Sequence, residues 1–143
     1  MPFVKIMVHA VWRTKNHQPF LIKEIKDKVI AHIKENAREK KIYIDSLNGH
    51  VDHLHCLFAL NADMALTKAL QLLKGESSHW INANKLTNTP FEWADEYYGV
   101  SVSESHIESV RHYILTQEEH HKKMTFMEEY ERFMKKYNLD GQG

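Results

Sequence analysis

Apolar residues in this chain recur with two different periods, and the order in which those periods alternate predicts its architecture. From Phe3 to Arg13 the period is two. Val4, Ile6, Val8, Ala10 and Trp12 share one face, while Lys5, His9 and Arg13 share the other with Met7 and Val11. That pattern predicts a half-buried strand. Asn16-His17-Gln18-Pro19 interrupts it. From Leu21 to Lys40 the period changes: Ile22, Ile25, Val29, Ile33 and Ala37 recur among Lys and Glu, as in an amphipathic helix.

Ile42, Ile44 and Ser46 open a second alternating run, and Asn48-Gly49 is expected to turn a hairpin. The returning strand, His50 to Leu60, sorts its residues by parity. Leu54, Cys56, Phe58 and Leu60 share one face; Val51, His53, His55, Leu57 and Ala59 share the other. Asp63 stands where it would cap a second helix striped by Leu66, Leu70, Leu73, Ser77 and Trp80. Gly75 inside that helix costs about 1 kcal/mol against Ala and predicts a weak point in it. After a loop at Asn88 to Pro90, Phe91-Glu-Trp93 and Tyr98-Gly-Val-Ser-Val102 predict one or two short strands. Ser105 with Glu108 has capping-box spacing and predicts a helix from near His106 to about Glu119. Thr125 with Glu128 repeats the signal before a last amphipathic helix through Phe126, Tyr130, Phe133 and Tyr137.

The order β-α-β-β-α-β followed by two helices predicts an α+β fold. It is a ferredoxin-like, split βαβ antiparallel sheet with two helices on one face and additional C-terminal helices. No repeat, linker or low-complexity tract divides the chain, so residues 1–143 read as a single domain. Composition narrows the class further. Lys+Arg and Asp+Glu are both 19 and the pI is near 7.2. Such balance argues against coating nucleic acid through bulk charge, which usually needs a pI above about 9, though it permits a local basic patch. No apolar run approaches the roughly 20 residues that span a bilayer. Met1-Pro-Phe-Val-Lys-Ile carries no secretory signal pattern, and Cys56 is alone, so the expected setting is a reducing cytoplasm without disulfides. Eleven histidines remain as the unusual feature.

His53-Leu54-His55 puts two imidazoles at i and i+2 on a strand, pointing to one side and close enough to share a metal. The same histidine count yields about one His-x-His by chance, so surface or hydrogen-bonded histidines are the competing reading. Tyr113 and Gln117, four apart, lie one turn apart on one face of the predicted helix. A core tyrosine beside Val110 and Ile114 is the competing reading there. A phenol of pKa about 10 attacks poorly at pH 7 unless a metal or base lies near and its electrophile is neutralised. Asp52 could orient either histidine, or be an exposed turn carboxylate.

Taken together these residues resemble the single-tyrosine HUH transposases of bacterial insertion sequences and the related REP-associated tyrosine transposases. The resemblance runs through His9-Ala-Val-Trp-Arg-Thr-Lys15, Val51-Asp-His-Leu-His-Cys-Leu-Phe58, Leu73-Lys-Gly75 and Tyr113-Ile-Leu-Thr-Gln117. It continues through Gln117-Glu-Glu-His-His121 and Phe126-Met-Glu-Glu-Tyr130. It departs at His17, where the family more often has Arg. The resemblance implies a metal-dependent single-strand DNA endonuclease and strand transferase acting at hairpin ends. Tyr113 would be the nucleophile, leaving a 5′-phosphotyrosine, and His53, His55 and Gln117 would hold Mg²⁺ or Mn²⁺. By ligand softness Zn²⁺ or Ni²⁺ could substitute in a crystal. It further implies a homodimer in which the tyrosine helix of one subunit completes the His pair of the other. Arg13, Lys15 and Lys74 are the candidate nucleic-acid contacts, and His120 and His121 are rival metal ligands. Two other readings stay in play. One is a ferredoxin-like single-stranded nucleic-acid binding module without catalysis, or a domesticated inactive copy; it would favour stacking aromatics on the central strands. The other is a metal-binding regulatory protein in which Tyr113 is dispensable.

Overall fold

The computed structural model describes residues 3–117 together with Glu128, Glu131, Arg132, Lys135 and Lys136, which are helical. Strand β1 (Met7–Thr14) leads through a 3₁₀ turn at Lys15–His17 to helix α1 (Lys23–Glu39). Strands β2 (Tyr43–His50) and β3 (His53–Ala59) form a hairpin, followed by helix α2 (Leu66–Ala83). Strand β4 (Trp93–Val102), a 3₁₀ turn at Glu104–His106 and helix α3 (Ile107–Leu115) complete the described order. The sheet runs β2-β3-β1-β4 with every neighbouring pair antiparallel, which is the split βαβ order expected from the sequence.

Parity builds two different layers from the same strands. Val8, Ala10 and Trp12 of β1 and Leu54, Cys56 and Phe58 of β3 pack under Val29, Ile33 and Ala37 of α1 and Leu70, Leu73 and Ile81 of α2. On the opposite face Met7, Leu57 and Val102 pack under Ile107, Val110 and Ile114 of α3. Because β1 lies between β3 and β4 and is covered on both faces, Met7, His9 and Val11 are buried as fully as Val8. The half-buried strand expected from alternation is therefore a central strand. It begins at Met7, and Phe3, Val4 and Ile6 stay exposed ahead of it.

Local sequence signals gave way to packing at several points. The hairpin turns at Val51-Asp52, with His50 opposite His53, and Asn48-Gly49 lies within β2. Gly49 is there for close approach. A Cβ on it would sit 2.1 Å from the carbonyl oxygen of His53 and 2.8 Å from Leu54 Cα. Asp45 bulges out of β2 between Ile44 and Ser46, so Ile44 and Leu47 both face the α1–α2 layer. Helix α2 is unbroken through Gly75, which meets open space, and Ala65, not Asp63, is its N-cap residue. The Ser105–Glu108 box does not form: Ser103 Oγ reaches His106 Nδ1 at 2.7 Å and α3 starts at Ile107. That helix ends at Leu115, Gln117 is again helical after the turn at Thr116, and the expected end at Glu119 lies outside the described residues. Phe126, Tyr130, Phe133 and Tyr137 of the expected last helix, and His120 and His121, lie outside the described residues.

Candidate active site

The second face of the sheet is apolar at one end and polar at the other. Beyond Met7, Leu57 and Val102, the same parity brings His9, His53 and His55 onto it, each no more than 1% exposed. The His53 and His55 rings lie 5.1 Å apart, tilted by 70°. Tyr113 projects from α3 against His55 and His9: its ring is 5.5 Å from His55 at 83° and 6.2 Å from His9 at 69°, both edge to face. Within one chain the tyrosine thus packs against one member of the histidine pair.

Two contacts flank Tyr113 and hold its helix on the sheet. Two residues earlier, Arg111 grips the bulged Asp45 bidentately, with Nε to Oδ1 at 2.8 Å and a terminal nitrogen to Oδ2 at 2.7 Å. A planar guanidinium matches a carboxylate in this geometry. The hydrogen bond from Arg111 pulls the Asp45 carboxyl below its ordinary value, against the opposing effect of burial. Two residues later, Asn48 Nδ2 donates to the carbonyl oxygen of Leu115 at 3.3 Å. Gln117 follows the helix end and is fully buried. Its Nε2 donates to the Tyr113 carbonyl oxygen at 3.2 Å.

Each histidine of the pair has its Nδ1 held by a protein group. Asp52 Oδ1 lies 2.8 Å from His53 Nδ1, and its other oxygen lies 3.4 Å from His17 Nδ1. Burial pushes the Asp52 carboxyl up, but the hydrogen bonds and charge of His53 and His17 outweigh it and the net shift is downward. Asp52 is therefore not the exposed turn carboxylate that was one of its two readings; its side chain is 16% exposed and orients His53. His55 Nδ1 lies 3.0 Å from His9 Nε2. With the Nδ1 atoms engaged, Nε2 is the atom each imidazole could offer a cation, and Oε1 is the atom Gln117 could offer. This donor set of two imidazoles and one amide oxygen suits a borderline divalent ion. Among the described residues no group of three His, Cys, Asp or Glu converges to hold a metal, so such a site depends on the amide.

The three candidate nucleic-acid contacts meet at the start of β4. Arg13 reaches Glu96 at 2.8 Å and the Thr14 carbonyl oxygen at 3.2 Å, and Lys15 reaches Glu92 at 2.9 Å. Arg13 and Lys15 line a cleft of about 240 Å³ with Asn16, Glu92, Asp95 and Glu96. A phosphate entering it would compete with those carboxylates for both cations. Lys74 is turned inward. Its ammonium donates to the carbonyl oxygens of Ala94 and Asp95 at 2.8 and 3.2 Å, 5.7 Å from the Tyr97 ring centroid, and burial lowers its pKa.

The chain matches the model of the IS200-like transposases over residues 3–117. It belongs to the IS200-like transposase family. That match spans all of the site, from His9 through Gln117. Two solved structures share the fold. One is a candidate transposase from Deinococcus radiodurans R1, 22% identical, with a TM-score of 0.66 over 81% of this chain and 93% of that one. The other is a REP-associated tyrosine transposase bound to a REP hairpin, 14% identical, with a TM-score of 0.57 over 80% of this chain and 66% of that one. No curated protein sequence is significantly similar. None of the described helices is long and apolar enough to cross a membrane.

His9 opens one of the motifs that carry the resemblance, but the motif by itself gives it no part in the site. Its signal was present in the parity of the first strand, because the split βαβ order brings that strand beside the one carrying His53 and His55.

Proposed function

We propose that this transposase cleaves and rejoins single-stranded DNA through Tyr113. The Tyr113 hydroxyl gives up its proton and its oxygen bonds to the scissile phosphorus. The bond to the 3′ oxygen breaks, and that oxygen takes up a proton. The product is a 5′-phosphotyrosine with a free 3′-hydroxyl, and attack by a 3′-hydroxyl on the phosphotyrosine reverses the step and joins strands. No external energy source is needed, because one phosphodiester is exchanged for another. The observation that carries this reading is the packing of Tyr113 against His55, on a helix clamped to the sheet on both sides of the tyrosine. Such a clamp holds the nucleophile in place before substrate arrives.

His53, His55 and Gln117 would hold Mg²⁺ or Mn²⁺, which when bound polarises and orients the phosphate oxygens. The protein's own groups supply the rest: Asp52 and His9 fix the two imidazoles, and Arg111 and Asn48 fix the helix. The substrate class we infer is a DNA hairpin end, in line with the hairpin held by one structural relative. Arg13 and Lys15 are the candidate contacts to its backbone, whereas the inward bonding of Lys74 favours a role in joining α2 to β4.

The test is a denaturing gel of protein incubated with labelled single-stranded hairpin DNA from its own locus and Mn²⁺ or Mg²⁺. A covalent adduct is expected, and Tyr113→Phe should abolish it while leaving the fold intact. An adduct that persists in Tyr113→Phe removes the nucleophile from this tyrosine. Absence of any adduct across suitable ends favours the binding module or an inactive copy. Mixing Tyr113→Phe with His53→Ala extends the experiment to a homodimer. Recovery of adduct means that the tyrosine helix is exchanged between copies, and no recovery means that each chain uses its own.

A further inference from the structure

We propose that His9 is a positioning residue for His55. It accepts a hydrogen bond from Nδ1 and so holds the ring in the tautomer whose Nε2 carries the lone pair that a metal requires. The proposal rests on the metal-dependent reading above and names a residue which that reading leaves out.

Three observations converge on it. His9 Nε2 is 3.0 Å from His55 Nδ1, a hydrogen bond between two imidazoles in which one ring must donate. His9 is 1% exposed on a central strand, where an aliphatic side chain would avoid the desolvation cost of an imidazole. A polar ring kept there calls for a partner that repays it. Third, His9 plays toward His55 the part that Asp52 plays toward His53, whose Nδ1 is 2.8 Å from the carboxylate. The two histidines are thus set by different means, one by a carboxylate and one by a second imidazole.

The direction of the bond follows from the chemistry. Which nitrogen of a histidine meets a metal is fixed by the hydrogen bond made by the other. For His55 to present Nε2 unprotonated, its proton must sit on Nδ1 and be donated to His9 Nε2. His9 must then carry its own proton on Nδ1. The reverse arrangement would put the His55 proton on Nε2 and block coordination. The strand pairing explains the reach: Val11 stands opposite His55, so His9 is its diagonal neighbour, two residues along on the same face.

The experiment uses the full chain labelled with ¹⁵N-histidine and free of metal and DNA. It is read by long-range proton–nitrogen correlation at about pH 8, where ordinary imidazoles are neutral. His55 is expected to carry its proton on Nδ1 and His9 to accept on Nε2. Finding the His55 proton on Nε2 in the wild type overturns the proposal without any variant. Mn²⁺ affinity, followed by the electron paramagnetic resonance of free Mn²⁺, is the second readout. His9→Leu should weaken it by about 10–100-fold, the usual effect of removing a group that orients a ligand. His9→Gln, whose amide oxygen can accept from Nδ1, should recover most of that loss. Unchanged affinity in a folded His9→Leu overturns the proposal, as does equal loss in both variants. If the wild type binds no Mn²⁺, the metal-dependent reading fails, and the tautomer measurement still decides the part played by His9.

Discussion

The two faces of the sheet are cut from the same strands and differ by one residue of register. The face under α1 and α2 is dry: Trp12, Leu54 and Phe58 are at most 1% exposed, and Trp12 meets Trp93 edge to face at 6.1 Å. Its buried polar groups serve packing. Lys26 Nζ donates to the Gly49 carbonyl oxygen at 3.1 Å, and Ser77 Oγ accepts from Trp93 Nε1 at 3.0 Å. Cys56 lies there too, its thiol pushed far up by burial and so kept protonated. The face under α3 is apolar at Met7, Leu57 and Val102, and beyond them it buries His9, His53 and His55 beside Val11; Gln117 after α3 is buried too. Burying imidazoles and an amide is costly unless each is bonded, so the α3 face holds its polar groups in hydrogen bonds where the α1–α2 face packs mostly apolar ones. A small domain can support such a site because alternation keeps the two tasks apart.

Substitutions that strike one face and spare the other test this division. Phe58→Ala should cost about 3–5 kcal/mol of stability by denaturant unfolding, as a large cavity on the dry face. Tyr113→Phe should leave the unfolding midpoint nearly unchanged while abolishing the adduct. A large loss of stability in Tyr113→Phe would break the comparison.

Gly49→Ala should come next, at about 1–3 kcal/mol, because the added methyl overlaps the backbone of β3 beside His53. It sharpens the comparison: the hairpin carrying the histidines should be disturbed as well, so Mn²⁺ affinity is expected to fall together with stability.

Asp45→Asn addresses the clamp on α3 through pH. A carboxyl whose folded pKa lies below its unfolded value contributes stability above the unfolded value. It loses that stability as pH falls through the folded value. Asp45 is such a group, so wild-type Tm should fall below about pH 4 more steeply than that of Asp45→Asn, with the two curves converging in acid. Parallel curves would mean that Arg111 does not hold the helix through this charge.

The smallest effect is expected on the outer surface of the dry layer. Gly75→Ala adds a methyl where nothing lies within 4 Å, so it should stabilise α2 by up to about 1 kcal/mol and leave cleavage unchanged. A loss of adduct in this variant would give that surface a part in DNA handling beyond its part in folding.

Periodicity, with turn and cap signals, determined the order of the described elements, the split βαβ class and the face on which each residue of β3 lies. These follow from backbone geometry, since a period of two must alternate across a sheet. It also placed His53 and His55 away from the first two helices. What it could not determine was anything that depends on which strands become neighbours. His9 looked like one polar residue on a mixed face until β1 lay beside β3 and brought its ring to 3.0 Å from His55. The hairpin turned at Val51-Asp52, not at Asn48-Gly49, because Gly49 was needed where β2 crosses close to the His53 backbone. That shift placed Asp52 beside His53. The bulge at Asp45, which sets up the clamp on Tyr113, likewise has no local signal in the sequence. Alternation is a property of one segment, whereas a register, a bulge or a ring-to-ring hydrogen bond belongs to two, and only the folded chain brings them together.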